Sequence, residues 1–339
     1  MSKAENYYYH LLHKEEQAVY HALETGLRSN SPSIMVPKSD VRKLAEIYFM
    51  IRLDHPEIFY TVSYKARTWQ GADSIEVMPE YLYPKKQIKA HQQAMDSRIE
   101  KLIRPAMKLK EEEKEQYIHD FICEHVHYDK LKKPYSHEII GPLGHGIGVC
   151  EGIAKTVKIL CDHLGIWCII PISDNNPDKQ IRYRHTWNIL KLGGQYYHMD
   201  ATFDLSLSKE SLIRYDYYNL DDKNIFRDHE PVMYPMPACQ DGKKRYYIQK
   251  KLSFTTYDEV RKRCAQSVKK GKDFLFHWRG GYLTKEVFLD LLKIMKEEAE
   301  KKEKHLCLSL NWAQAVIKAD FKDEIEESII MEQANEGEQ

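Results

Sequence analysis

A glycine-rich loop that leads directly into an amphipathic helix is the feature that most constrains this sequence. The segment 141–148 contains four glycines, and Cys150 follows two residues later. Beyond it, apolar residues recur at helical spacing and a glycine stands where a helix C-cap belongs: Ile153, Val157, Leu160, Cys161, Leu164 and Gly165. The pattern predicts a helix that begins at or beside Cys150 and buries one face in a core.

The position of Cys150 suits a nucleophile. The first N–H groups of a helix are unpaired and carry partial positive charge, which favours a thiolate over a thiol. The glycines ahead of Cys150 leave room for the backbone of a substrate to approach. A lone cysteine at a helix start is more often structural than reactive, so a catalytic role requires a base elsewhere in the chain.

A β-hairpin further along the chain places such a base beside an acid. Gly193-Gly194 separates two runs of alternating residues, a strong hairpin signal. A register that pairs Leu192 with Gln195 continues outward to put Trp187 opposite Asp200. The same register puts His185 opposite Thr202.

Strand side chains alternate between the two faces of a sheet, so His185 and Asp200 project from the same face in this register. At that diagonal spacing a carboxylate can hydrogen-bond to one imidazole nitrogen and leave the other for Cys150. A register slip of one residue would separate the two side chains. The sequence therefore predicts a Cys150–His185–Asp200 triad.

These motifs resemble the transglutaminase-like domain, and in particular its microbial branch. The resemblance covers about residues 115 to 205 and rests on four segments in order: Tyr128-Asp129, Gly148-Val-Cys150-Glu-Gly-Ile-Ala154, His185-Thr-Trp187 and Tyr197-His-Met-Asp200-Ala-Thr202. It implies a papain-like α+β core with Cys150 as nucleophile, His185 as base and Asp200 as orienting acid. Animal transglutaminases carry Trp after the cysteine, whereas this chain has Glu151, so hydrolysis of an amide bond is as well supported as protein cross-linking.

Other candidate sites have simpler interpretations. His119, Cys123 and His127 lie four residues apart and could present zinc ligands on one helix face. No second Cys/His pair with ligand spacing accompanies them, so a packed or partly exposed helix face is the preferred interpretation, and we expect neither metal nor cofactor. The cluster Tyr7-Tyr-Tyr9 is interpreted as packing of the first helix.

Composition excludes several classes of protein. The 339 residues carry 51 Lys+Arg and 51 Asp+Glu, so the chain lacks the basic excess of a nucleic-acid-binding protein. The longest apolar stretch, 165–172, is far shorter than the roughly 20 residues that span a bilayer. No apolar segment typical of a secretory signal opens the sequence. Seven scattered cysteines without a Cys-x-x-Cys pair indicate reduced thiols, and we expect a cytoplasmic protein.

The order of predicted elements divides the chain into four segments. An N-terminal α/β module (1–85) and a C-terminal α/β module (245–325) share the order α-β-α-β-β, and they flank the transglutaminase-like core (86–235). The stretch 234–244 contains Pro-x-Pro, Gly and charge, which favours a linker, and an acidic tail follows at 326–339. The predicted fold class is thus α+β, with the Cys150 helix packed on an antiparallel sheet.

The function expected from these observations is cysteine-dependent acyl transfer at a peptide or carboxamide bond. The acyl group would pass to water, as in a peptidase or amidase, or to an amine, as in a transglutaminase. The substrate would be a protein or peptide, and the oligomeric state is not predicted. The alternative is a catalytically silent transglutaminase-like protein that serves as a protein-binding or scaffold module.

Overall fold

The computed structural model describes residues 6–182, 184–208 and 212–323. They group into two compact units. The first unit comprises the described residues of Met1–Asn175, Tyr183–Arg214 and Pro231–Gln240, and the second those of Asn176–Arg182, Tyr215–Glu230 and Asp241–Gln339. The first unit contains the predicted N-terminal module together with most of the predicted core. The predicted segment boundaries stay predictions.

The first unit mixes helices with short strands. Its helices are α1 (Lys14–Arg28), α2 (Val41–Asp54), α3 (Lys85–Ile103), α4 (Glu111–His125), α5 (Cys150–Leu164) and α6 (Ala201–Leu207). Its strands are β1 (Ile34–Pro37), β2 (Thr61–Arg67), β3 (Ser74–Tyr81), β4 (His127–Tyr128), β5 (Ile147–Gly148), β6 (Trp167–Ile169), β7 (Ile172–Ser173), β8 (His185–Thr186), β9 (Asn188–Leu192) and β10 (Gln195–Met199).

The elements predicted for the N-terminal segment are present. Asp40 caps α2 by accepting hydrogen bonds from the backbone N–H groups of Arg42 and Lys43. Strands β1, β3 and β2 form an antiparallel sheet in that order. Tyr8 is fully buried and donates its hydroxyl hydrogen bond to the Ile170 carbonyl (2.5 Å), whereas Tyr9 contacts Tyr20 of α1 with ring centroids 5.2 Å apart, so the tyrosine cluster packs only in part against the first helix.

The helical segment that begins at Lys85 is interrupted where Pro105 stands. Helix α3 ends at Ile103, a 3₁₀ turn covers Arg104–Ala106, and α4 begins at Glu111. Proline lacks an N–H and clashes with the preceding turn, which accounts for the break.

Helix α5 forms the centre of the first unit. It begins at Cys150 and ends at Leu164, and Gly165 caps it with φ = 76°, in the left-handed region. Its side chains are almost all buried, because it packs against α4, α6 and strands β6, β8 and β9. The fold class α+β, with the cysteine-bearing helix on an antiparallel sheet, is therefore as predicted.

The hairpin has the predicted register but is shorter than predicted. Leu192 pairs with Gln195, and the pairing runs to Asn188 opposite Met199. The predicted continuation is wrong, because Asp200 caps helix α6 and Thr202 lies within that helix. His185 instead belongs to β8, which pairs with β7. Strand β6 pairs with β9 of the hairpin, which gives the order β10-β9-β6 within the first unit.

The segment interpreted as a linker is partly packed. Cys239 is 1% exposed and lies in a small apolar cluster with Ile169 and Ile189. Tyr7 donates its hydroxyl hydrogen bond to the Pro235 carbonyl (3.0 Å). Residues 231–240 therefore pack within the first unit.

The second unit repeats an order already described. Its elements are β11 (Tyr218–Leu220), α7 (Asp222–Ile225), α8 (Tyr246–Gln249), β12 (Ser253–Phe254), α9 (Tyr257–Lys269), β13 (Phe274–Trp278), α10 (Lys285–Glu300), β14 (His305–Asn311) and β15 (Val316–Lys322). Strands β13, β15 and β14 form an antiparallel sheet in that order, the same as β1, β3 and β2. Strand β12 adds a parallel neighbour to β13.

Across the described residues, every helix is too short or too polar to cross a bilayer. The predicted tail, 326–339, lies outside the described residues.

Candidate active site

Cys150 is the first residue of helix α5. Val149 is the N-cap, with extended backbone at φ = −94° and ψ = 175°, and its N–H donates to the Ser136 carbonyl (3.0 Å). The thiol is half-buried. The loop glycines therefore deliver the sulfur to a helix N-terminus, where the backbone N–H groups favour negative charge.

His185 lies on β8, and its imidazole packs against two aromatic rings. Its ring centroid is 5.8 Å from that of Trp187, nearly parallel, and 4.9 Å from that of Phe203. The side chain is 13% exposed. This packing leaves the imidazole little freedom to rotate.

Asp200 connects His185 to helix α6. Its Oδ2 accepts a hydrogen bond from His185 Nε2 (2.5 Å), while its Oδ1 accepts from the N–H groups of Thr202 (2.9 Å) and Phe203 (3.0 Å). The side chain is 0% exposed. A carboxylate that caps a helix with one oxygen keeps the other in a fixed position, so Asp200 sets the orientation of the imidazole.

The three predicted site residues thus come together, and the Cys150 and His185 side chains are hydrogen-bonded. Burial disfavours the thiolate, but the hydrogen bond and positive charge of His185 outweigh it and lower the pKa of the Cys150 thiol below its usual value. Burial likewise disfavours the imidazolium, but the charge and hydrogen bond of Asp200 raise the pKa of His185 to about 10. Together these shifts favour the thiolate–imidazolium pair over the neutral thiol–imidazole pair.

Thr186 is a residue of this site that the sequence did not indicate. Its N–H and hydroxyl both lower the pKa of the Cys150 thiol. Thr186 is 3% exposed, and its Oγ1 makes no hydrogen bond of ordinary geometry within the described part of the chain. Only its place beside His185 in the sequence could have drawn attention to it.

The residues around the hairpin are packing residues. Trp187 is 1% exposed and donates its Nε1 hydrogen bond to His198 Nδ1 (2.9 Å), and Tyr197 is also fully buried. Asn188 Nδ2 donates to the Ala154 carbonyl on α5 (3.0 Å). These contacts hold the sheet against the Cys150 helix.

Tyr128-Asp129 lies beside the chain segment that leads into Cys150. Strand β4 pairs with β5 so that Tyr128 is opposite Gly148. Asp129 is buried and accepts hydrogen bonds from the Leu131 and Lys133 N–H groups and the Ser136 hydroxyl. It therefore orders the loop that carries Ser136.

Glu151, the residue that departs from the animal enzymes, is part of a cluster of charged side chains. It forms ion pairs with Arg52 (3.1 Å) and Lys155 (2.8 Å), and both cations also pair with Glu138. The Glu151–Lys155 spacing of four residues could be read from the sequence. Arg52 and Glu138 are distant in the chain and could not be assigned to it.

The zinc interpretation of His119, Cys123 and His127 gains no support. His119 is fully buried, and its Nε2 lies 3.0 Å from Asp204 Oδ2 and 3.8 Å from the Cys123 sulfur. His127 is exposed and lies on β4, beyond the end of α4. The three residues do not present one common site, and His119 instead ties α4 to α6.

Comparison with known proteins identifies part of the first unit. A family model described as the Transglutaminase-like superfamily matches residues 99–201. The match includes Cys150, His185 and Asp200, and it confirms the resemblance at the level of the superfamily. This stretch is a transglutaminase-like domain. No curated protein gives a significant match.

Two solved structures share similarity with the chain. One is described as a TGase, with 13% identity, 59% of this chain and 60% of that chain covered, and a TM-score of 0.30. The other is described as a "putative cysteine protease" from Cytophaga hutchinsonii, with 14% identity, 42% and 62% covered, and a TM-score of 0.27. The chain thus spans about three fifths of the length of each.

Proposed function

We propose that the transglutaminase-like domain of this chain catalyses cysteine-dependent acyl transfer at a peptide or carboxamide bond of a protein or peptide. Cys150 is the nucleophile, His185 the general acid and base, and Asp200 the group that orients His185. The observation that carries the proposal is the hydrogen-bonded series from Cys150 through His185 to Asp200, assembled from α5, β8 and the α6 cap.

The reaction proceeds in two balanced steps. The Cys150 thiolate attacks the carbonyl carbon, a C–S bond forms, and the C–N bond breaks as His185 gives its proton to the departing amine. The acyl acceptor, water or a second amine, then loses a proton to His185 and displaces the thiolate from the acyl group. The Cys150 backbone N–H, at the start of α5, offers one donor for the oxyanion of each tetrahedral intermediate.

The pH range of activity follows from the two shifted pKa values. The lowered pKa of Cys150 supplies the thiolate below the range of an ordinary thiol. The pKa of His185, about 10, keeps the proton donor present through neutral pH. Turnover should fall at acidic pH as the thiolate is protonated, and again as pH rises through about 10.

A two-readout assay tests the proposal. Dimethylated casein is incubated with a fluorescent primary amine, and both amine incorporation and new amino termini are measured for the wild-type chain. The Cys150→Ala variant should lose at least about 1,000-fold in either readout. Cys307→Ala is the matched control, since Cys307 is another half-buried thiol, and it should retain full turnover.

The ratio of the two readouts distinguishes transfer from hydrolysis. Turnover that survives in Cys150→Ala would contradict the proposed nucleophile. The catalytically silent alternative predicts no turnover that depends on Cys150. The cytoplasmic localisation expected from the sequence stays a prediction.

A further inference from the structure

Four charged side chains form a closed group around the first turns of α5, the helix that begins at the nucleophile. Arg52 pairs with Glu138 and Glu151, and Lys155 pairs with the same two carboxylates at 2.8 Å each. Glu151 directly follows Cys150 in the first turn of α5, and Lys155 lies one turn further along. We call Arg52, Glu138, Glu151 and Lys155 the charge cluster.

The charge cluster is buried and electrically balanced. The side chains of Arg52, Glu138, Glu151 and Lys155 are 11%, 1%, 14% and 0% exposed. Two cations and two anions cancel, so the group as a whole adds no net charge to the first turn of α5, which begins at Cys150. A buried ion that loses its partner is strongly unfavourable, so each member depends on the others.

Arg52 comes from a part of the chain remote from Cys150. It lies in the last turn of α2, within the N-terminal α/β segment. Glu138 follows the 3₁₀ turn Pro134–His137, which packs against the start of α5. Arg52 therefore connects the N-terminal segment to the residue beside the nucleophile.

We propose that Arg52 is a positioning residue for Cys150: by neutralising Glu151 it prevents an unpaired carboxylate from opposing the thiolate. The inference rests on the proposed function, since it assigns Arg52 a role only if Cys150 acts as a thiolate. A like charge nearby disfavours ionisation of an acid, so an unpaired Glu151 would raise the pKa of the Cys150 thiol. Lys155 alone cannot balance both carboxylates.

The groups that set the charge at Cys150 come from several elements. His185 on β8 stabilises the thiolate, and Asp200 at the α6 cap stabilises His185. In the first turn of α5, Glu151 contacts Arg52, Lys155 and His137 Nδ1 (3.2 Å). Changing Arg52 or Glu151 alters the charge cluster, while His185 and Asp200 remain in place.

The test is the pH dependence of iodoacetamide labelling of Cys150 in the full chain, followed by mass spectrometry. Arg52→Gln leaves a net charge of −1 and should raise the midpoint of labelling by about half a pH unit. Glu151→Gln leaves +1 and should lower it by a similar amount. The double variant restores balance and should return the midpoint to near the wild-type value.

A control and a contrast complete the test. Arg28→Gln removes an arginine that pairs with Glu24 and Glu57 at the end of α1, and it should leave the midpoint unchanged. Arg52→Lys retains the charge and should restore most of the wild-type profile. Opposite shifts in the two single variants support the charge argument, because a purely structural loss would move both in the same direction.

The outcomes separate this inference from the proposed function. If wild-type Cys150 labels selectively but Arg52→Gln and Glu151→Gln shift the midpoint the same way or not at all, the role of Arg52 is wrong and the proposed function stands. If wild-type Cys150 is no more reactive than the other thiols, both are overturned. If Arg52→Gln does not fold, Glu151→Gln decides alone: a lowered midpoint supports the inference, and an unchanged or raised one overturns it.

Discussion

Asp200 makes two kinds of hydrogen bond, one to His185 and one to the N-terminus of α6, and two substitutions separate them. Asp200→Asn keeps a good helix cap but removes the charge that raises the pKa of His185. The pKa of His185 should then fall from about 10, and labelling of Cys150 at pH 6.5 should slow about tenfold. Asp200→Ala should slow labelling as well and also lower the free energy of unfolding by about 1 kcal/mol.

Denaturant unfolding and iodoacetamide labelling of both Asp200 variants check this prediction. Equal loss of stability in the two would show that the cap is not the source of the difference. Labelling at the wild-type rate in Asp200→Asn would show that the carboxylate does not control the imidazole.

Thr186→Val tests the second group that acts on the sulfur. The substitution keeps the shape of the side chain but removes a buried hydroxyl that makes no ordinary hydrogen bond among the described residues. The labelling midpoint of Cys150 should rise, by less than the roughly one pH unit that a full hydrogen bond to a charged group would give. The melting temperature should not fall. A lower melting temperature with an unchanged midpoint would assign Thr186 a packing role.

At the residue scale, the sequence identified the groups whose chemistry is recognisable from type and order. Cys150, His185 and Asp200 were predicted in that way, and the structure places them together. Arg52 could not be found, because an arginine in a helix is ordinarily solvated and its partners come from distant segments. Thr186 could not be found because its contribution depends on geometry alone.

Gly152 fixes how closely helix α5 approaches the loop beneath it. A Cβ at this position would lie 2.2 Å from the Ser136 carbonyl oxygen, a backbone atom. Gly152→Ala should therefore cost about 1–3 kcal/mol or more and displace the start of α5, slowing the labelling of Cys150. Gly165→Ala is the matched control at the other end, where φ is +76° and no atom lies within 4 Å.

The two glycine variants should differ in their effect on the labelling of Cys150 as well as in their loss of stability. Gly165→Ala should cost about 1–2 kcal/mol through backbone strain and leave the labelling of Cys150 unchanged. Chemical denaturation and labelling rates measure both effects. A free energy of unfolding for Gly152→Ala within about 0.5 kcal/mol of the wild-type value would contradict the close packing.

At the scale of elements, local signals predicted most of the structure and one long-range inference failed. Asp40, Pro105 and Gly165 mark helix boundaries through backbone chemistry that acts locally. The hairpin register around Gly193-Gly194 was also correct. The predicted extension of the hairpin to Asp200 was wrong, because Asp200 caps α6 and does not continue strand β10. The Asp200 side chain contacts His185 from that cap.

The whole chain contains the strand order β1-β3-β2 in the first unit and β13-β15-β14 in the second, each with two helices in the same chain order. We predict that residues 14–81 and 257–322 superpose in an experimental structure. The expected match includes both helices and all three strands, with β12 as an addition. Opposite handedness of the strand–helix–strand connection would show that the shared order is coincidental.

At the scale of the whole molecule, the order of the helices and strands could be predicted from the sequence. Which segments pack into the same compact unit could not. The packing of Cys239 into an apolar cluster brings residues 231–240 into the first unit, although Pro and Gly nearby are typical of a linker. Burial of a single cysteine leaves no periodic pattern, so tertiary packing alone decides such a segment.

The central claim is that Cys150 is an activated nucleophile, and selective alkylation at pH 6.5 tests it most directly. Wild-type protein is treated with limiting iodoacetamide, and the seven cysteines are quantified by mass spectrometry beside His185→Ala. We expect Cys150 to react first, at least about tenfold faster than any other thiol, while the buried Cys161 and Cys168 stay protected. His185→Ala should abolish that preference. Equal reactivity of Cys150 and the other accessible thiols, unchanged in His185→Ala, would contradict the account.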